Sequence, residues 1–149
     1  VTVIGIDPGL KGGIAFVSEE VTNAIPLPML GKDVDIHELR SILLEHKPDL
    51  VVIEHQAGRF STPFSYGMIL GCCLCMMCKV ETVTPNKWQS KMLGKLPKGA
   101  TKGEVLSFCQ KYFAEVDLRL GVERRKPHDG MADALAIAEY GRRFVLGAA

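Results

Sequence analysis

Apolar positions along the chain fall into runs whose period changes at glycines and prolines. Residues 1–7 (VTVIGID) form an unbroken β-branched run, the pattern of a buried strand, and it ends on an aspartate. Pro8-Gly9 breaks it and Gly12-Gly13 marks a turn. Residues 14–18 and 21–25 read as two more short strands, so the opening third predicts an antiparallel meander. Pro26 and Pro28 open a loop. Asp35 is placed to cap a helix running through His46, with Ile36, Leu39, Ile42 and Leu43 on one face and Pro48 ending it. Residues 49–54 (DLVVIE) are another buried strand, again closed by an acid.

A polar stretch (HQAGRFSTP) leads to residues 64–78, which read as a helix apolar nearly all round. Residues 79–83 predict a short strand. Thr84-Pro85 is a cap and first-turn pair for a helix to Leu93. A basic loop (GKLPKGATKG) precedes a helix from about Lys102 to Phe113, and a basic linker at 124–127 precedes a final Ala-rich helix from His128 to Val145. The order β-β-β-α-β-α-β-α-α implies a mixed sheet, antiparallel then parallel, flanked by helices. A length of 149 residues fits one domain, 1–149.

Composition narrows the class. With 47% hydrophobic and 23% charged residues the chain is neither disordered nor a coiled coil. Its longest apolar run, Met68 to Cys78, covers 11 residues, short of the roughly 20 that span a bilayer. Five cysteines, four of them between Cys72 and Cys78, do not space like a disulfide scaffold, and no charged-then-apolar leader is visible. Reduced thiols in a cytoplasmic, intracellular setting are expected, with no membrane partner.

The net charge of +1 conceals an uneven distribution. From Lys79 to Lys126 there are eleven Lys and Arg against five acids, and in the remainder seven against twelve. A basic segment beside an acidic remainder suggests a surface for a polyanion next to an acidic site.

That site has four candidates. Asp7 and Glu54 each close a predicted strand, and open α/β sheets place ligands beyond the carboxyl ends of their strands. Asp129 and Asp133 lie four apart at the start of the last helix, hence on one face. Four carboxylates gathered together repel one another unless a cation intervenes. Mg²⁺ or Mn²⁺, both hard ions, prefers such oxygen ligands. Two such ions about 3.5–4 Å apart stabilise the attacking and leaving oxygens of phosphodiester hydrolysis.

The segments IGIDPGLKGGIAF, VVIEHQ, VTPNKWQ and HDGMADALAIAEYG, in this order and spacing, resemble the RuvC-like Holliday junction resolvases, most of all the short bacteriophage-type members. The resemblance covers nearly the whole chain. It implies a ribonuclease H-like fold, an α/β architecture with a mixed five-stranded sheet of three antiparallel and two parallel strands. It also implies a homodimer, Mg²⁺-dependent paired nicking of four-way DNA junctions, and Asp7, Glu54, Asp129 and Asp133 as metal ligands. There is one departure. The last two acids of bacterial RuvC are usually three apart, whereas here Gly130 takes that place, leaving Asp129 or the adjacent His128 to serve.

Several other residues are candidates for DNA contact. Lys87, Lys91, Lys95, Lys98 and Lys102 are suited to phosphates, Lys102 closest to a scissile one. Phe60, between Arg59 and Ser61 in a polar loop, is suited to stacking on an unpaired base, while Phe64 and Tyr66 read equally as core. Trp88 reads as core. Gly67 and Gly71, four apart, would allow close approach of a second helix, as in a dimer. A different ribonuclease H-like nuclease acting on flaps or RNA–DNA hybrids, and a non-catalytic branched-DNA-binding module, are the competing readings. A sugar-kinase-type phosphate domain also pairs Asp with a Gly-rich turn, but needs two domains.

Overall fold

The computed structural model describes residues 1–55, 61–121 and 123–148, apart from the side chains of 61 and 62. Phe60 lies outside the described residues. Strand β1 (Val3–Asp7) pairs antiparallel with β2 (Gly13–Val17), and β2 antiparallel with β3 (Thr22–Pro26). On its other side β1 pairs parallel with β6 (Leu50–Glu54), which pairs parallel with β7 (Val80–Val83). The sheet order is β3-β2-β1-β6-β7, the mixed five-stranded arrangement expected. The two strands buried along their whole length and pairing in parallel, β1 and β6, occupy its centre, as both faces of a parallel pair demand.

Between β3 and the first helix the chain forms a two-stranded hairpin, β4 (Met29–Leu30) with β5 (Asp33–Val34), where a loop was expected. Strands of two residues carry no detectable alternation. The turn is instead marked by Gly31 in the left-handed region (φ 66°). Helix α1 (Ile36–His46) begins as predicted: the Asp35 side chain accepts from the Glu38 N–H. Helix α2 spans Ser61–Cys75 rather than 64–78. Pro63 is tolerated in its first turn, where no intrahelical N–H partner is needed. At its other end the Cys78 N–H returns to the Cys73 carbonyl across a left-handed Met77, which terminates the helix.

Helices α3 (Pro85–Leu93), α4 (Thr101–Tyr112) and α5 (Asp129–Tyr140) cover one face of the sheet, α1 and α2 the other. The final helix does not continue uniformly to Val145. It changes to a π-helical turn over Gly141–Val145, beside the buried Glu139 that accepts from Arg142 and Arg143.

Alternation along the strands assigns each side chain to a face. Val3, Leu50 and Val52 pack with α5, whereas Ile4, Ile6, Val51 and Ile53 pack with α1 and α2. By the same two-residue period Asp7 and Glu54 fall on the α5 face. They stand one residue past the Ile6–Ile53 pair, at the carboxyl ends of adjacent parallel strands.

Helix α5 lies against that face at backbone distance. A Cβ on Gly5 would come within 2.2 Å of the Ala134 carbonyl oxygen, and one on Gly130 within 2.2 Å of the Lys11 carbonyl oxygen. Gly130, Ala134 and Ala138 recur every four residues and form the stripe that touches the sheet. The Ala-rich composition of α5 is therefore a consequence of close approach, and it buries every residue from Gly130 to Tyr140 except Asp133.

Candidate active site

The seating of α5 brings acids from three elements together. Asp7 is 9% exposed and Glu54 7%. Asp7 accepts from the Gly9 N–H at 3.0 Å, so the Pro8-Gly9 turn orients its carboxylate. Glu54 Oε2 accepts from the indole N–H of Trp88 at 2.6 Å. Asp133 is half-buried, and Asp129, one turn earlier, is exposed with an oxygen 3.3 Å from Lys102 Nζ.

Electrostatics report the convergence. Burial, followed by the charges of Asp7, Glu54 and Asp129, pushes the Asp133 carboxyl up to about 7. Burial also raises Asp7, against opposing contributions from the Gly9 N–H, His128 and Lys102. The three carboxylates that act on Asp133 are the three that the sequence grouped with it. Among the described residues, no group of three or more His, Cys, Asp or Glu side chains forms a ready-made metal cage. The donor set nonetheless suits a hard cation. It consists of carboxylate oxygens, partly dehydrated, whose mutual repulsion a divalent ion would relieve.

The spacing of the last two acids has a structural explanation. Gly130 sits against the Lys11–Gly12 backbone with no room for a Cβ, so a carboxylate three residues before Asp133 cannot be accommodated. Asp129 precedes that contact. His128 caps α5: its Nδ1 accepts from the Met131 N–H at 3.1 Å, committing that nitrogen to the helix terminus.

A cleft of about 550 Å³ opens over these groups. Asp7, Asp129 and Asp133 line it together with Lys11, Lys102, Arg124 and Lys126. Of the lysines singled out in the sequence, Lys102 alone lines it. Lys87, Lys91, Lys95 and Lys98 are exposed elsewhere, Lys87 3.8 Å from Glu81 and Lys91 over the Phe144 ring. Lys11, Arg124 and Lys126 were not among the sequence candidates for this cleft. Lys11 follows the Pro-Gly turn by two residues, and that proximity was the available signal. Nothing local in the sequence signals that the 124–127 linker folds back; it does so through the His128 N–H bond to Leu118 and a bridge between Arg119 and Pro127.

The aromatic residues divide. Phe64 is 58% exposed, and Tyr66 is half-buried with its ring edge-on to His55. Trp88 is core, as read, but it is also the donor to Glu54, a role the sequence reading missed. The general signal was present: a buried indole N–H needs an acceptor. All five cysteines are free thiols. Among the described residues, no helix is long and apolar enough to cross a membrane.

No protein-family model and no curated protein sequence matches the chain. Solved structures do. RuvC of Thermus thermophilus superposes with a TM-score of 0.67 at 19% identity, over 99% of this chain and 96% of that one. The fowlpox virus resolvase in complex with Holliday junction DNA gives 0.65 at 13%, over 98% and 99%. The yeast mitochondrial Holliday junction resolvase gives 0.60 at 13%, over 95% and 78%. From end to end, the chain has the ribonuclease H-like fold that these RuvC-type resolvases share.

Proposed function

We propose that this chain is a Holliday junction resolvase: a single nuclease domain that acts as a homodimer and makes paired, symmetric, metal-dependent nicks in four-way DNA junctions. The observation that carries the reading is the gathering of Asp7, Glu54 and Asp133 on one face at one sheet end, with Asp133 pushed up to about 7 by burial and by three neighbouring carboxylates. Thermus thermophilus RuvC and the fowlpox resolvase, both with this fold, are described in complex with Holliday junction DNA, which supplies the substrate class.

In this reading Asp7, Glu54, Asp133 and Asp129 hold two Mg²⁺ or Mn²⁺ ions. Bound there, the ions supply an activated water and neutralise charge on the attacking and leaving oxygens. The protein's own groups do the rest. The Gly9 N–H fixes Asp7, and the stiff β1–β6 pair fixes the distance between Asp7 and Glu54. Lys11, Lys102, Arg124 and Lys126 receive the phosphates that flank the cut, with Lys102 released from Asp129 as the anion enters. Lys87, Lys91, Lys98 and Phe60 extend contact along the junction arms and centre.

The dimer follows from α2. Its outer side leaves Phe64 and Leu74 exposed, Met77 just beyond it 91% exposed, and Gly67 and Gly71 facing open space. A second copy covering this stripe would present two clefts to opposite strands. The free thiols fit a reducing compartment, and we place the protein in the cytoplasm.

The test is a comparison of a four-way junction, a plain duplex, a flap and an RNA–DNA hybrid, each with Mg²⁺. Paired symmetric nicks in the junction, with the other three substrates cut at least tenfold more slowly, are expected. Preferential cutting of the hybrid or flap would assign a different nuclease activity to the same site. Binding of the junction with no cutting in Mg²⁺ or Mn²⁺ would leave a DNA-binding module.

A further inference from the structure

We infer that Trp88 is a positioning residue: its indole N–H sets the Glu54 carboxylate for a divalent cation. The inference rests on the nuclease reading above. Asp7 and Glu54 end neighbouring strands but are oriented by different means. The short Asp7 side chain reaches the Gly9 N–H of its own turn. Glu54 is one methylene longer, and a side chain on another element, Trp88 in the first turn of α3, donates to it at 2.6 Å.

Trp88 is fully buried. The indole can donate but not accept, so it occupies one lone pair of Glu54 Oε2 and leaves the other carboxylate lone pairs to be aimed elsewhere. At 2.6 Å the separation is short, so the indole and the carboxylate are held in direct contact. The ring is immobile because it is packed in the core between the sheet and the helices, and α3 is held by the Lys87 and Trp88 N–H bonds to the Thr84 carbonyl. Carboxylate ligands oriented by such partners commonly lose about 10–100-fold in metal affinity or activity when the partner is removed.

Trp88 is the only tryptophan in the chain, so its emission reports on this one site. The experiment compares the wild type, Trp88→Phe, and a protein carrying the sulfur isostere benzothienylalanine at position 88. The isostere keeps the bicyclic shape and removes only the donor. Mn²⁺ affinity is measured by calorimetry, the Mn²⁺ needed for half-maximal junction cutting by gel, and folding by thermal unfolding. The isostere is expected to unfold within a few degrees of wild type and to bind the junction normally in metal-free buffer. Its Mn²⁺ affinity should fall about tenfold or more, with a matching rise in the metal needed for cutting. Trp88→Phe should show the same metal defect plus lower stability from lost volume. In wild type, Mn²⁺ should quench the Trp88 emission, and Glu54→Gln should abolish the quenching at the same concentration. Wild-type Mn²⁺ affinity in the isostere protein, while the wild type still cuts, overturns the role of Trp88 alone. A wild type that neither binds Mn²⁺ nor cuts any junction overturns the nuclease reading and this inference with it.

Discussion

The two helices richest in small residues, α5 and α2, lie on opposite faces of the sheet and use those residues in opposite ways. On α5, Gly130, Ala134 and Ala138 touch strand and turn backbone directly, and the helix is buried almost throughout. On α2, a Cβ on Gly67 or Gly71 would meet nothing within 4 Å among the described residues, and Phe64 and Leu74 are exposed. One helix is closed against its own chain, and the other is unfinished. The closed face carries the acids, because only a helix seated at backbone distance brings Asp133 within range of Asp7 and Glu54. The open face is where we propose that a second copy docks.

The contrast can be broken by experiment, the largest effect first. Asp7→Asn on the closed face should reduce junction nicking about a thousandfold or more, as expected for losing several kcal/mol of metal-mediated stabilisation. Junction binding in metal-free gel-shift assays should survive. Nicking at the wild-type rate would remove Asp7 from the chemistry.

Gly130→Ala and Gly71→Ala make the same change on the two faces. A Cβ at Gly130 collides with the Lys11 carbonyl oxygen and should cost about 3 kcal/mol or more in denaturant unfolding. At Gly71 it meets open space, and the helical preference of Ala over Gly, up to about 1 kcal/mol, should leave the monomer fold as stable or slightly more so. Equal effects at the two positions would refute the distinction.

The raised carboxyl of Asp133 makes metal-free stability depend on pH. Its folded pKa, about 7, lies above the ordinary 3.8, so between these values the folded state binds more protons than the unfolded. Stability from this group is fully present below about pH 4 and is lost as pH rises through 7. The loss should be on the order of 2 kcal/mol, since solvent reaching this half-buried group screens part of the effect. Asp133→Asn should flatten this limb in urea titrations at pH 5 to 8. Mg²⁺ should stabilise wild type more at pH 8 than at pH 6, since cation and proton compete for the same oxygens.

On the open face, Gly71→Leu should weaken self-association about tenfold or more in sedimentation equilibrium while each subunit stays folded. An unchanged profile would locate the dimer contact elsewhere. The smallest effect belongs to Lys98→Ala, outside the cleft. About a two- to threefold weaker junction affinity is expected, with a slightly shallower salt dependence.

Much of the fold was legible because its signals are local. The β-branched runs ending in Asp7 and Glu54, the Asp35 cap and the Thr84-Pro85 start each lie within a few residues, and the elements formed where those signals stood. The β4–β5 hairpin was not, since two-residue strands leave no period to read. The π-helical turn after Tyr140 was also missed. It accompanies side-chain bonds from Arg142 and Arg143 to the nearby buried Glu139 and a Gly141 whose Cβ would meet Val52 at 2.5 Å, and the burial that sets both depends on the sheet, far away in sequence.

The sequence by itself determined which acids end strands and open the last helix; the observed pairing of β1 with β6 then placed Asp7 and Glu54 on the same face. Tertiary structure alone decided how closely α5 lies on that face, that Gly130 excludes a carboxylate at its position, that Nδ1 of His128 caps a helix, and that Trp88 reaches Glu54. Strand period and capping arise from backbone geometry repeated over neighbouring residues. Close approach and buried hydrogen bonds are decided between distant segments, by which atoms are left without room or without water once the sheet and helices have packed.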